Sequence, residues 1–335
     1  MAFLKPITLL YFALRRIWGA ILVFISVFLI AFIYGAENEP PYAYLDRIHV
    51  KQQFERSLKL RDVNLIVTGD SSGFSGVDPA LLEKQFKAMR VQSLSSAGLV
   101  GPLGHMLLVE NYLKSNHHLD ILLIIWTPLA LSLPNLPWES SIIQETGGQI
   151  RAIPRLGRAV LRDKLFWGYL NPPFPGKWAQ MYGDREIYKN FVDEQHGTVI
   201  FPVRKTSLNN PVPWKPYDYK LSRPVESSLR RARAKLRQLS IGKIFLAFTP
   251  MPYGRYDPDP ENYRKQFMLN IQNLIGLPKE SILDIPPSLP DEFYSDPYHL
   301  NGKGRLAFTQ LLNNSLLNSL CELDVEVSEK CAKSP

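Results

Sequence analysis

Between Ile17 and Ala36 the chain runs for 20 residues without a charged side chain, and no second stretch matches both that length and that apolarity. About 20 such residues are what a helix needs to cross the hydrocarbon core of a bilayer. Lys5, Arg15 and Arg16 precede the run, and Glu37 and Glu39 follow it. A basic flank stays cytoplasmic, so the chain beyond residue 37 is expected outside the cytoplasm. The competing reading is a cleaved signal peptide, with an apolar part of about 7–15 residues and small residues before the cut. The longer run and the bulky Tyr34 favour an uncleaved anchor. This divides the 335 residues into a cytoplasmic segment (1–16), an anchor (17–36), a juxtamembrane linker and helix (37–62), a folded domain (63–320) and a tail (321–335).

The folded part alternates strand-like and helix-like stretches. "VNLIVTG" (63–69), "VQSLSS" (91–96), "LDILLIIWTP" (119–128), "KIFLAFTP" (243–250) and "SILDI" (281–285) are short, apolar and bounded by turn residues. Buried parallel strands read this way. Between them, Asp78-Pro79 looks like an N-cap with proline at the first helical position. Val225, Leu229, Ala232, Leu236 and Leu239 repeat at four and three, an amphipathic stripe opposite arginines. Residues 302–319 form a closing helix. Alternation of this kind predicts an α/β fold, a mostly parallel sheet covered by helices on both faces in three layers.

Residues 131–222 interrupt the alternation. They are proline-rich, hold four of the six tryptophans (Trp138, Trp167, Trp178 and Trp214), and are expected to be an insertion with some helix around 155–168. The tryptophans suit either a small subdomain core or a platform for stacking sugars. The formal net charge of +8 is concentrated in 151–240, with 18 Lys and Arg against 7 Asp and Glu. A basic face suits an anionic partner such as lipid head groups or an acidic polymer, or it is simply a solvated surface. A location outside the cytoplasm argues against nucleic acid. The two cysteines, Cys321 and Cys331, either pair in an oxidising compartment or remain as thiols in the tail.

In a doubly wound sheet, ligands bind beyond the carboxyl ends of the strands. Ser71, in "GDSSG", lies two residues past the first strand. Gly98 follows the second, Thr127 ends the third, and the last loop carries Asp296 and His299 in "YSDPYHLNGKGR". A serine, an imidazole to take its proton and a carboxylate to hold the imidazole tautomer are the minimum for nucleophilic acyl chemistry. "GDSSG" also satisfies G-x-S-x-G, the nucleophile elbow of α/β-hydrolases. There, however, the serine follows several strands and the acid is remote from the histidine. His117 and His118 beside Asp120 look like metal ligands only superficially, and no metal or other cofactor is expected. His105 follows a glycine-rich loop and could border the cleft.

The order Gly69-Asp70-Ser71 after the first strand, with Asp296-x-x-His299-Leu300-Asn301 near the end, resembles the SGNH (GDSL) hydrolase superfamily. The resemblance implies a three-layer, flavodoxin-like fold with Ser71 as nucleophile, His299 as base and Asp296 as its orienting partner. It further implies that the N–H groups of Ser71 and of a glycine after the second strand, best matched by Gly98, face the oxyanion. The third block of the family, Gly-x-Asn-Asp, is missing: Trp126, Thr127 and Pro128 stand there, and Thr127 is the stand-in for the asparagine. The anchor-plus-domain architecture is similar to envelope proteins that work beside membrane-bound O-acyltransferases in teichoic-acid D-alanylation and polysaccharide O-acetylation. The expectation is therefore a single-pass protein of a bacterial cytoplasmic membrane with its domain outside. It would be a serine esterase or O-acyltransferase acting on acyl esters of an envelope carbohydrate polymer, with a membrane-bound O-acyltransferase as a partner. The alternative is an SGNH-like scaffold of little or no activity that binds a polymer or a membrane partner.

Overall fold

The computed structural model describes residues 17–19, 21–26, 45–86, 89–134, 136, 139, 190, 192–198, 220–253, 260–296 and 298–323. Residues 46–150 and 186–335 belong to one compact unit. Outside it, residues 17–19 and 21–26 are helical, with Trp18, Val23 and Phe24 exposed. Among the described residues no helix is long and apolar enough to cross a membrane. Most of the expected span at 17–36 lies outside them, as do most of the 131–222 insertion and its expected helix at 155–168.

The core of the unit is a four-stranded parallel sheet. In chain order its strands are β1 (Leu65–Gly69), β2 (Val91–Ser93), β3 (Leu119–Trp126) and β4 (Ile241–Phe248), and in space they run β2-β1-β3-β4. Side chains alternate across it. Ile66, Leu122, Ile124, Leu246 and Phe248 belong to one apolar cluster, and Leu65, Val67, Ile121, Ile125, Phe245 and Ala247 to the other. Both faces are dry, which is why these strands read as continuous apolar runs.

Helices cover each face. On the first pack α1 (Leu45–Lys59), α4 (Gly101–Asn116), α5 (Arg223–Leu236) and α6 (Pro260–Ile275). The short α2 (Ser71–Gly76) leads from β1 towards the second face, where α3 (Pro79–Gln85) and α7 (Gly302–Leu323) lie. The stripe on α5 is buried at Val225, Leu229, Ala232 and Leu236, and Ser222 caps the helix by accepting from the Val225 N–H at 3.3 Å. Phe308, Leu312, Leu316 and Leu320 do the same for α7. Each Val, Leu or Phe among them, fully buried, contributes about 1.5–3 kcal/mol. Asp78 caps α3, its side chain accepting from Leu81 N–H at 3.2 Å.

Three features depart from the strand and helix pattern read above. The strand expected at 91–96 is regular only over Val91–Ser93, yet Leu94 N–H still donates to Val67 O and Ser96 N–H to Gly69 O, both at 2.8 Å. The strand expected at 281–285 is reduced to one parallel bridge between Ile282 and Leu246. Pro286 and Pro287 follow, and proline has no N–H to extend a ladder. The helix α1 does not stand clear of the domain: Val50, Gln53, Arg56 and Ser57 are buried against it.

Order β2-β1-β3-β4 means that the chain leaves β1 for one side of the sheet and returns to the other. The connections after β1 and β3 therefore diverge and leave a crevice at the carboxyl ends of those two strands. Ser71 and Thr127 flank it in sequence.

Candidate active site

The turn after β1 admits few side chains. Gly69 has φ +143°, and a Cβ there would lie 1.8 Å from the carbonyl oxygen of Ile125 on β3. Only glycine adopts this backbone and this approach. Asp70 then donates its N–H to Ile125 O at 3.2 Å, and its side chain caps α2 through Ser72 N–H at 2.8 Å. Ser71 is thereby the first residue of α2, holding one of the N–H groups that a helix leaves without an intrahelical acceptor.

The Asp70 carboxylate is buried and takes four donors. Oδ1 accepts from the N–H and the hydroxyl of Ser72. Oδ2 accepts from Thr127 N–H at 2.6 Å and Thr127 Oγ1 at 3.1 Å. Because the Ser72 hydroxyl gives its proton to Asp70, it must accept from Thr249 Oγ1, 2.6 Å away. Thr127 Oγ1 in turn accepts from Ala130 N–H at 3.0 Å. Burial pushes the Asp70 carboxyl above the usual range, and the four donors pull the other way. The aspartate thus joins the ends of β1 and β3, and through Ser72 it reaches β4 as well.

His299 arrives from the other end of the chain on a loop pinned at several points. Ser295 N–H and Oγ both donate to His299 O, at 2.8 and 3.0 Å. Tyr294 Oη donates to Pro250 O at 2.9 Å, just beyond β4. Asn301 accepts at its Oδ1 from Lys303 and Gly304 N–H, and its Nδ2 donates to Glu292 O at 2.7 Å. Asn301 therefore caps α7. Asp296 Oδ1 accepts instead from Tyr298 and His299 N–H at 2.8 and 2.9 Å, which leaves Oδ2 for the imidazole.

These constraints bring Ser71, His299 and Asp296 into one line. His299 Nδ1 is 2.8 Å from Asp296 Oδ2, and His299 Nε2 is 3.0 Å from Ser71 Oγ. A carboxylate accepts only, so Nδ1 carries the proton and Nε2 presents its lone pair to the serine hydroxyl. Burial raises the Asp296 carboxyl, but the imidazole N–H, the positive charge the ring carries whenever it is protonated, and the two backbone N–H groups outweigh it and hold the group below its ordinary range. The arrangement can take a proton from Ser71 Oγ as it attacks an electrophile.

Gly98 opens a 3₁₀ turn (Gly98–Val100), where an added Cβ would meet Ala130 Cβ at 3.0 Å. It is thus packed against the segment that follows Thr127. Thr127 itself is held by Asp70 through both N–H and hydroxyl, so its side chain links strand ends together. His105 is buried behind this region. His118, just before β3, lies 3.3 Å from Asp120 on that strand, and His117 is the left-handed C-cap of α4. Among the described residues no cluster of His, Cys, Asp and Glu could hold a metal ion.

Sequence reading passed over Ser72 and Thr249. A signal for Thr249 was present: Thr-Pro follows both β3 and β4, at 127–128 and 249–250, and Trp126 pairs with Phe248, which puts the two threonines side by side. No protein-family model matches the chain, and no curated protein matches it.

Proposed function

We propose that the protein is a serine esterase or O-acyltransferase that uses Ser71 as nucleophile, His299 as general base and then acid, and Asp296 to hold the imidazole. The observation that carries this is the hydrogen-bonded line from Asp296 through His299 to Ser71, at 2.8 and 3.0 Å. Attack of Ser71 Oγ on an ester carbonyl passes its proton to His299 Nε2. The resulting imidazolium protonates the departing alkoxide, leaving an acyl-serine. A hydroxyl of water or of a sugar, deprotonated by the same Nε2, then attacks the acyl carbonyl, and the acyl–Oγ bond breaks as the imidazolium returns the proton to Ser71, giving the free acid or the new ester. The N–H groups of Ser71 and Gly98 are the oxyanion donors of this reading.

Within the same proposal the domain is a flavodoxin-like, three-layer member of the SGNH class, and residues 17–36 anchor it in a bacterial cytoplasmic membrane. Its substrate is then an acyl ester of an envelope carbohydrate polymer, with a membrane-bound O-acyltransferase as partner. Cys321 is disulfide-bonded. A disulfide supports an oxidising location for the domain. The engagement of Thr127 with Asp70 favours a second reading, a scaffold with weak or no turnover, since no side chain then replaces the missing asparagine.

A fluorophosphonate probe separates the two readings. The enzyme reading expects stoichiometric labelling at Ser71, abolished by Ser71→Ala and nearly abolished by His299→Ala, with both variants folded. Folded wild type that stays unlabelled, where a known serine hydrolase labels fully, leaves the scaffold. A reporter fused after Pro335 tests the location independently, and activity of a cytoplasm-only reporter there rejects the envelope assignment.

A further inference from the structure

His105, on the first turns of α4, is 1% exposed and takes no part in the Asp296–His299–Ser71 line. Its two ring nitrogens have fixed roles. The Trp126 indole can only donate, and its Nε1 lies 3.3 Å from His105 Nδ1. Nδ1 is therefore the acceptor, and the proton sits on Nε2, which donates to Ala97 O at 3.3 Å. Burial lowers the ring's pKa to about 3, so it stays neutral and keeps this tautomer.

The two groups it joins belong to the two strand ends that frame the crevice. Trp126 is the last residue of β3, and its neighbour Thr127 holds Asp70. Ala97 caps the 3₁₀ turn that begins at Gly98, and its carbonyl also receives the Val100 N–H at 3.0 Å. One residue upstream, Ser96 N–H donates to Gly69 O, which ties the same segment to the turn carrying Ser71. The segment 96–98 is thus held from three sides: by Gly69, by Ala130 packed on Gly98, and by His105.

We propose that His105 is a positioning residue of the Ser71 site: by bridging Ala97 and Trp126 it sets where the Gly98 N–H stands relative to the serine. This rests on the acyl-transfer reading given above. With Thr127 engaged elsewhere, that reading leaves two backbone N–H groups to hold the oxyanion, and one of them depends on this bridge. A displacement of about 1 Å in such a group costs on the order of 10²-fold in rate, and loss of a donor about 10²–10³-fold.

Two substitutions at one position separate positioning from mere packing. His105→Gln can still donate from its terminal amide to Ala97 O. His105→Asn is too short to reach that carbonyl, although it can still accept from Trp126. Both bury one carboxamide, so their stabilities should fall together. The full-length protein in detergent is assayed for turnover of p-nitrophenyl acetate, and amide hydrogen exchange is followed over residues 96–100. The expected result is a kcat fall of about 10²-fold in His105→Asn with KM held, faster exchange in that segment, and recovery of both by His105→Gln. Equal kcat and equal exchange in the two variants overturn the proposal. Wild type that neither turns over nor labels overturns the acyl-transfer reading instead. The exchange contrast then still decides whether His105 holds the turn, and its absence rejects that too.

Discussion

Thr127 donates its backbone N–H to Asp70 Oδ2 at 2.6 Å and its hydroxyl to the same oxygen at 3.1 Å. A side chain placed where an oxyanion donor is expected instead locks the end of β3 to the turn that carries Ser71. Thr127→Val removes the hydroxyl and leaves Ala130 N–H without its acceptor. We expect a stability loss of about 1–3 kcal/mol, the usual result of stranding a buried polar group, measured by urea unfolding. The kcat of the folded protein should fall less than about tenfold, well short of the 10²–10³ of a lost oxyanion donor. A folded, fully stable variant with a kcat reduced by that larger factor would return the hydroxyl to the oxyanion role.

Gly69 and Gly302 form a contrasting pair. At Gly69 an added Cβ meets Ile125 O at 1.8 Å on a backbone with φ +143°, whereas at Gly302 nothing lies within 4 Å. Gly69→Ala must push β1 away from β3 or rebuild the turn, and we expect a loss beyond about 4 kcal/mol, the exceptional end for point changes. Gly302→Ala should stay within about 0.5 kcal/mol of wild type or stabilise the first turn of α7. Thermal unfolding of the two variants side by side checks both. A Gly69→Ala protein with the wild-type midpoint would mean that the close approach is not required.

The parallel core was legible because β1, β3 and β4 are buried on both faces, so their apolar runs carry no competing periodicity. Ser71, Asp296 and His299 were legible for a different reason. Strand-end position and the three-residue spacing of the last two are local features, and the topology then converges them. The fifth strand was misread because "SILDI" has a strand's composition while the prolines at 286 and 287 deny it a ladder. The Asp70 network was missed because it is assembled from Ser72, Thr127 and Thr249, which sit on three different strand connections. No local pattern links residues 177 positions apart such as Ser72 and Thr249. Asn301 was placed by motif, but its capping of α7 and its hold on Glu292 follow only from the folded loop.

Two buried histidines, His49 and His105, are each expected to lower stability on acidification. Burial lowers both His49 and His105 from 6.5 to about 3. A depressed folded value means that the unfolded chain takes up the proton first. Stability is therefore complete above pH 6.5 and is lost as pH falls from there towards 3. The loss approaches about 1.4 kcal/mol per pH unit for each ring, roughly 2 kcal/mol each by pH 5. Asp70, whose carboxyl is raised by burial, acts in the opposite sense and gains stability on acidification. The informative quantity is thus a difference between proteins, not the raw slope. Urea midpoints of wild type and His49→Gln at pH 7.5 and pH 5 should show the variant losing about 2 kcal/mol less on acidification. Equal losses would mean that His49 is protonated inside the fold.

The role of Asp296 can be separated from its place in the loop. Its Oδ1 accepts from Tyr298 and His299 N–H, while Oδ2 faces the imidazole. Asn keeps an oxygen for the two backbone donors and turns an amide NH₂ towards Nδ1. That group donates, so Nδ1 must become the acceptor and the ring proton moves to Nε2, where it blocks acceptance from Ser71 Oγ. We expect Asp296→Asn to fold with a near-wild-type midpoint and to lose on the order of 10⁴ in kcat or in labelling rate. Asp296→Ala loses the loop contacts too, and should fall in stability as well as rate. Because the Asp296 carboxyl is held below its ordinary range, its contribution to stability is present above the unfolded value and fades only as pH drops through the lower folded one. An Asp296→Asn protein that labels at the wild-type rate would show that His299 keeps its tautomer without the carboxylate, and would remove Asp296 from the catalytic unit.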